Sequence, residues 1–396
     1  MIHGLNGFAS AQLKSVAALA ALILLSPAPI RAMTPEDESV VERGLDAIYT
    51  SDYDGADKIF QESLRSRPDD PVLSLGRAIA AWWRMENDFA RPGSPEESAF
   101  VAAVKRAVDD GQRAASVGDK AEAYLCLGAA YGLRGRWEAA HHRWLSAYLD
   151  GRRAYGNERR AVKLNPELYD AYLGIGAFDY YVATLSRFVR VLAFMSGGGR
   201  DKGLSELQLA TRGRYSGVAA KLLLVGIDWT FEKNPQEAWN ILEELHRRYP
   251  GSPMLDSMRL IGLFHLRDAP GLKREAQGFL DKVERGAPFF RPIDRPAGRY
   301  FLGLGEQLSG QYDQALAEYE AALNEVPAEH PWRSMLHLFI GECQDLLGRR
   351  EKALASYRQA LKDPPLWGVP RYARYLLKRP FRPEDNPLPA RNDDLP

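Results

Sequence analysis

Residues 303–327 read GLGEQLSGQYDQALAEYEAALNEVP, and residues 341–365 read GECQDLLGRREKALASYRQALKDPP. Laid over one another, the two stretches share one spacing. A Gly is followed twelve residues later by Ala, four later by Tyr, three later by Ala and five later by Pro: Gly303, Ala315, Tyr319, Ala322, Pro327 and Gly341, Ala353, Tyr357, Ala360, Pro365. The spacing recurs as Gly44, Ala56, Phe60, Ser63; as Gly128, Ala140, Trp144, Ala147; and as Gly226, Ala238, Leu242, Leu245, with Pro68 and Pro250 closing the first and last of these. A helix–turn–helix unit explains it. The Gly allows the first helix to approach the second closely, the Ala is the matching small contact, and the large residue one turn later fills the gap to the next pair. The Pro ends the second helix by removing a backbone donor. Gly55 and Gly310 read as turn glycines between the two helices of a pair.

One such motif is weak evidence; five with identical offsets are strong. The pattern is that of the tetratricopeptide repeat, a pair of antiparallel helices about 34 residues long. The resemblance covers nearly all of residues 36–366. It implies an all-α solenoid wound into a right-handed superhelix, and a role in binding peptides or proteins without chemistry of its own. Pairs of this kind stack on their neighbours into one continuous core, which 396 residues, 45% of them hydrophobic, are ample to build.

The organisation follows. Residues 1–32 read as an export signal: Lys14, an apolar run from Val16 to Leu25, then Ser26, Pro27 and Pro29 before Ala32. That run is about half the roughly 20 residues needed to span a bilayer. The mature chain is therefore expected outside the cytoplasm, periplasmic or secreted, with no stable membrane span. Residues 33–378 form the solenoid, with irregular insertions at about 86–120 and 182–218. Residues 379–396, RPFRPEDNPLPARNDDLP, are too rich in Pro and charge to bury a core and read as a disordered tail.

Lys plus Arg equals Asp plus Glu, at 52 each. No global electrostatic reason points to nucleic acid or to an anionic membrane. The two cysteines, Cys126 and Cys343, lie in first helices of distant repeats, where a disulfide is improbable and inert packing is expected. His141 and His142 are adjacent and diverge by about 100° on a helix, so they make a poor metal pair. Gly197–Gly203 lacks the Lys-Ser/Thr and the preceding strand of a phosphate-binding loop. Acid pairs such as Asp109-Asp110 and Glu243-Glu244 fit solvated helix faces. No catalytic residue, metal site or cofactor is expected.

The central stretch departs from the repeat. After Gly174, Gly176 and Phe178 comes an apolar helix at about 183–195, with Leu185, Phe188, Leu192 and Met195 on one face; Gly199, Arg200, Asp201, Gly203 and Leu204 follow. With Phe194, these positions resemble the eukaryotic inclusion-body-clearance and tetratricopeptide-repeat-thirty-nine proteins and related exported bacterial repeat proteins, although the turn reads Gly199-Arg200-Asp201 where the family has Gly-Asp-Arg. The resemblance spans about 165–260 and implies an interaction or scaffold role.

First helices line the concave side of such a solenoid. Leu173, Tyr180, Tyr181, Leu223, Ile227, Phe231, Tyr300 and Leu304 are expected there, an unusually apolar and aromatic set. Two readings stay open. The set forms a groove for an apolar peptide, helix or lipid-like ligand, or it packs a tightly wound lumen together with helix 183–195. An apolar cavity of several hundred Å³, on the order of a ligand pocket, would favour a hydrophobic carrier. A filled lumen would favour a protein-binding scaffold.

Overall fold

Five stretches are described in the computed structural model: residues 34–87, 93–118, 120–184, 199–366 and 368–385. The export segment, the helix expected at 183–195 beyond its first two residues, and the Pro-rich end after 385 lie outside them. The described residues hold seventeen α-helices and no strand. In order these are α1 (Pro35–Tyr49), α2 (Tyr53–Ser66), α3 (Pro71–Asn87), α4 (Pro95–Ser116), α5 (Ala121–Ala140), α6 (Trp144–Leu164), α7 (Tyr172–Thr184), α8 (Arg200–Ala210) and α9 (Gly217–Ile227). The second half comprises α10 (Pro235–Arg248), α11 (Pro253–His265), α12 (Ala269–Glu284), α13 (Arg295–Leu308), α14 (Tyr312–Glu325), α15 (Trp332–Leu346), α16 (Arg350–Ala360) and α17 (Val369–Leu376). Successive helices pack on one another throughout. Three second helices stop two residues short of the expected prolines: α2 before Pro68, α10 before Pro250 and α14 before Pro327.

The Gly spacing works by a contact more specific than expected. In three pairs the large residue sixteen positions on lays its ring directly over the Gly. A Cβ on Gly44 would stand 2.2 Å from Phe60, one on Gly303 2.8 Å from Tyr319, and one on Gly341 2.4 Å from Tyr357. Phe60 also lies against Gly76 of the next pair. All three rings are fully buried, each worth about 1.5–3 kcal/mol on apolar area. The residue four after the Gly matches the ring chemically. The Tyr319 hydroxyl donates to Gln307 (2.8 Å) and the Tyr357 hydroxyl to Asp345 (2.8 Å). Phe60 has no hydroxyl, and the equivalent residue is the buried Ile48.

Two of the five sets are corrected by the structure. Gly128 packs on Glu158 and Ala154, not on Trp144. Trp144 opens α6 at the outer end of a long hairpin and is 65% exposed. The helices α5 and α6 run 20 and 21 residues, so Ala140 still lies in the first helix and Gly128 meets Glu158, thirty positions on, where a repeat would place the partner sixteen on. A Cβ on Gly226 would meet nothing within 4 Å; its neighbour Val225 makes the buried contact with Ala238 and Leu242. Gly55 is also reassigned. It lies in the first turn of α2, where its N–H bonds the Asp52 carboxylate cap at 3.0 Å and a Cβ would strike that carboxylate. Gly310, at φ +75°, is the turn glycine expected. Gly303→Leu is therefore expected to cost on the order of 1–3 kcal/mol or more through overpacking, while Gly226→Leu stays within about 0.5 kcal/mol of the parent. Urea-unfolding midpoints of the two variants check this; equal losses would show that ring-over-Gly contact does not set the packing.

The chain also closes on itself. The face of α1 packs against α9, α10 and the start of α11, so that Val41, Leu45, Tyr49 and Phe60 share a cluster with Val218, Leu222, Leu245, Tyr249 and Met254. Tyr249 donates to Asp46 (2.8 Å), and Arg214 pairs with Glu38 (2.7 Å) and Glu42 (2.9 Å). The expectation that repeats touch only their neighbours is corrected here. The cavity at this closure holds about 80 Å³ and is lined by Glu42, Asp46, Arg214, Lys221 and Arg248 among others.

At the other end the chain stays folded past the expected start of the tail. Phe381 is 4% exposed, and its N–H donates to Asp345 (2.8 Å). Arg350 pairs with the same carboxylate at 2.8 Å.

Candidate functional site

The central segment is built around one close helix crossing. Gly176 of α7 faces Gly203 of α8. A Cβ on Gly203 would stand 2.6 Å from the Tyr180 backbone nitrogen and 2.8 Å from the Gly176 carbonyl; one on Gly176 would stand 2.8 Å from the Gly203 carbonyl. Both positions must be Gly because the opposing atoms are main chain and cannot swing away. Gly174, one turn-face away, clears room for Glu158 of α6, whose carboxylate oxygen would lie 2.0 Å from an added Cβ. The central glycines thus let α7 and α8 pack backbone to backbone and leave room between α6 and α7 for the Glu158 side chain.

Two carboxylate clusters flank this crossing. On one side Asp179 of α7, 1% exposed, touches the Lys202 ammonium of α8, which also lies 3.5 Å from Glu206. Burial, reinforced by Asp179 and opposed by Lys202, pushes the Glu206 carboxyl up to about 7. On the other side the Tyr180 hydroxyl donates to Glu232 (2.5 Å), and Arg200 grips the same carboxylate, its Nε at 3.0 Å. Burial and then the Glu232 bond raise the Tyr180 phenol above the ordinary range. Glu158 is 3% exposed, and desolvation alone pushes its carboxyl well above the ordinary carboxylate range. A neutral acid is the form that such a site tolerates.

Glu206 gives a pH prediction with a definite sign. Its proton is held more tightly in the folded chain than in the unfolded one. The stability it lends is full below about pH 4.5 and is lost as pH rises through about 7. Glu206→Gln should therefore be more stable than the parent at pH 8, on the order of 1–2 kcal/mol once the half-exposed Lys202 is allowed for, with the gap closing toward pH 4.5. Urea midpoints across that range read it directly; a gap that does not narrow on acidification would refute the assignment.

The eight concave-face candidates divide between two places. Leu173, Tyr180, Leu223, Ile227 and Phe231 come together with Leu207 and Leu224 in one cluster. Tyr181 joins edge-on to Phe231 (5.9 Å between ring centres) and to Tyr180 (5.7 Å). Tyr300 and Leu304 belong instead to the large C-terminal core with Tyr319 and Phe339. Tyr180, Ile227, Tyr300 and Leu304 are buried, whereas Leu173, Leu223 and Phe231 are half-buried and Tyr181 is 40% exposed. The set is therefore largely packing, and its open remainder is the Tyr181–Phe231 edge. The structure adds Asp179, Glu206 and Glu232, which the sequence reading passed over. In the sequence Asp179 and Glu206 look like helix-surface acids, and the signal near them is the pair Gly176 and Gly203.

The histidines have local partners. His141 lies 2.6 Å from Glu97 with its ring on Trp137, and His337 lies 2.6 Å from Asp363. Cys126 and Cys343 are buried and free, their thiols raised by burial. Among the described residues no helix is long and apolar enough to cross a membrane.

Comparison with known proteins places these features. A tetratricopeptide-repeat family model matches residues 296–363, the segment from α13 to α16. The cytochrome c-type biogenesis protein CycH of Bradyrhizobium diazoefficiens is 29% identical over 142 residues, which are 32% of this chain and 38% of that protein. The match thus spans well under half the length of that relative. Among solved structures, the chain is similar to yeast Tom70 at 13% identity and a TM-score of 0.41, covering 89% of this chain and 66% of that one. It is similar to the human IFIT1 dimer with m7Gppp-AAAA at 13% identity and a TM-score of 0.48, covering 88% and 86%. The matched segment carries the Gly303–Tyr319 and Gly341–Tyr357 contacts, and Gly44–Phe60 repeats them near the other end: the chain carries tetratricopeptide repeats at 296–363 within an all-α fold of stacked helix pairs.

Proposed function

We propose that the protein is an exported, non-catalytic scaffold that binds other proteins. The observation that carries this reading is the repeat itself: helical pairs built on ring-over-Gly contacts expend the residues of the recurring spacing on packing and leave outward helix faces for contact. The buried acids of the central crossing support the non-catalytic part, since Asp179, Glu158 and Glu206 are enclosed by the helices that hold them. Export rests on the Lys14, Val16–Leu25, Ala32 pattern, and the name of the rhizobial relative, a biogenesis protein, points toward service to other proteins. The Tyr181–Phe231 edge is the best-placed contact among the concave-face residues.

Affinity capture from the native cells, compared between the parent and Tyr181→Ser/Phe231→Ser, tests the reading. A protein enriched by the parent and lost with the variant, at an unchanged unfolding midpoint, supports it; no enrichment over an unrelated bait overturns it. N-terminal sequencing of the native protein tests export. A start near Met33 in an extracytoplasmic fraction is expected, and a retained Met1 in the cytoplasm would refute it.

A further inference from the structure

The outward face of α6 is unlike the rest of the surface. Trp144 (65%) and Leu145 (71%) are the most exposed large apolar side chains among the described residues, and Leu149 (45%) is the next on the same face. Leu145, Leu149, Arg152, Gly156, Arg159 and Lys163 recur at spacings of four and three, so they form one stripe along the helix. The stripe is about 27 Å long at 1.5 Å per residue.

Charge on this helix is segregated. Its two acids, Asp150 and Glu158, are both buried, and Asp150 is held by Arg134 (2.6 Å) and Arg153 (2.8 Å). Arg160 lies over the Tyr124 ring. Arg152, Arg159 and Lys163 are exposed and have no ion-pair partner among the described residues. Elsewhere surface cations are commonly paired, as Arg77 with Asp57 and Arg299 with Glu318. A chain of zero net charge therefore presents a locally cationic face with an apolar end.

We infer that this face seats the protein on an anionic bilayer surface. Trp144, Leu145 and Leu149 enter the boundary between headgroups and acyl chains, and Arg152, Arg159 and Lys163 lie against the anionic headgroups. The indole and the leucines suit that boundary, where apolar side chains are buried only to shallow depth. The cations gain from the negative surface potential. A bilayer fits better than an acidic protein because the two most exposed apolar side chains stand together at the first two positions of α6, beside the turn His141–Arg143. Exposed at 65% and 71%, they stand at one end of the stripe, where a fluid layer receives them and a helix laid along the stripe would leave them uncovered. Headgroups also adjust to the wide spacing of the three cations, about 10 Å from Arg152 to Arg159. This is surface attachment, not a span, and it is independent of the protein-binding reading above.

Cosedimentation of the chain beginning at Met33, free of the apolar run Val16–Leu25, with vesicles tests it. Vesicles of phosphatidylglycerol and phosphatidylcholine in equal parts should bind the protein, and pure phosphatidylcholine vesicles should not. Raising the salt should release it. Arg152→Gln/Arg159→Gln/Lys163→Gln should weaken binding about a hundredfold, roughly fivefold per cation. Trp144→Ser/Leu145→Ser should weaken it even at low salt. All five positions are exposed, so unfolding midpoints should not move, and this is measured alongside. Absence of binding to the anionic vesicles, or equal binding by the triple variant, overturns the inference. Retention on immobilised poly-glutamate without vesicle binding would assign the stripe to an acidic protein and overturn it equally.

Discussion

Gly203→Ala is expected to destabilise the protein by about 3 kcal/mol, the upper end of overpacking costs. The added methyl would lie 2.6 Å from the Tyr180 nitrogen, 2.8 Å from the Gly176 carbonyl and 2.8 Å from the Tyr180 Cα. These are backbone atoms, so relief requires α7 and α8 to separate as rigid bodies. Separation uncovers Tyr180 and Leu207, both fully buried, and loosens the contact between Asp179 and Lys202. Helix propensity works the other way, favouring Ala over Gly by roughly 1 kcal/mol, so the measured loss is net of that gain. Gly226→Ala and Gly278→Ala are the controls. Each sits in a helix where a Cβ meets nothing within 4 Å, and each should be neutral or slightly stabilising. Guanidinium-unfolding midpoints decide the matter. If Gly203→Ala behaves like the controls, the α7–α8 crossing is not as close as described.

Asp345→Ala should cost about 3–5 kcal/mol, the range for removing one partner of a buried ion pair. The side chain is completely enclosed. It accepts from Arg350 (2.8 and 3.0 Å), from the Tyr357 hydroxyl (2.8 Å) and from the Phe381 N–H (2.8 Å). Truncation leaves three donors with one acceptor fewer. Arg350 retains the Leu376 and Leu377 carbonyls, which limits the loss at the guanidinium. The Tyr357 hydroxyl and the Phe381 amide have no such substitute named by geometry. Asp345→Asn keeps one acceptor oxygen at the site and should cost clearly less. A second readout locates the damage: hydrogen exchange at the Phe381 amide should rise in Asp345→Ala before the core of α13–α16 is affected. A loss under about 1 kcal/mol with a still-protected Phe381 amide would show that this carboxylate does not hold the C-terminal end.

The candidate site was legible in its parts and not in its arrangement. Gly174, Gly176 and Gly203 stood out as a motif, and Tyr180 and Ile227 as inward-facing apolar residues. That Gly176 and Gly203 face each other, 27 positions apart, depends on the crossing angle of two helices, which no spacing encodes. That angle also decides which acids are enclosed. Asp179 and Glu206 look like ordinary helix-surface acids in one dimension, and only the close approach of α7 and α8 removes them from water. The register failed at Gly128 and Gly226 for a related reason. The spacing alone does not reveal whether the first helix ends on schedule, and α5 runs on through Ala140.

What the amino-acid sequence determined by itself is the repeat: helix pairs, the spacing of their Gly, small and large packing residues, and their Pro stops. All of that information lies within about 25 residues, inside one helix–turn–helix unit, where periodicity and steric fit act locally. What only the tertiary structure decided is the closure of α1 onto α9–α11. Tyr249 reaches Asp46 across 203 positions, and Arg214 reaches Glu42 across 172. Such contacts leave no period to read, because they depend on the summed rotation of every intervening pair, including the long α5–α6 hairpin and the close α7–α8 crossing.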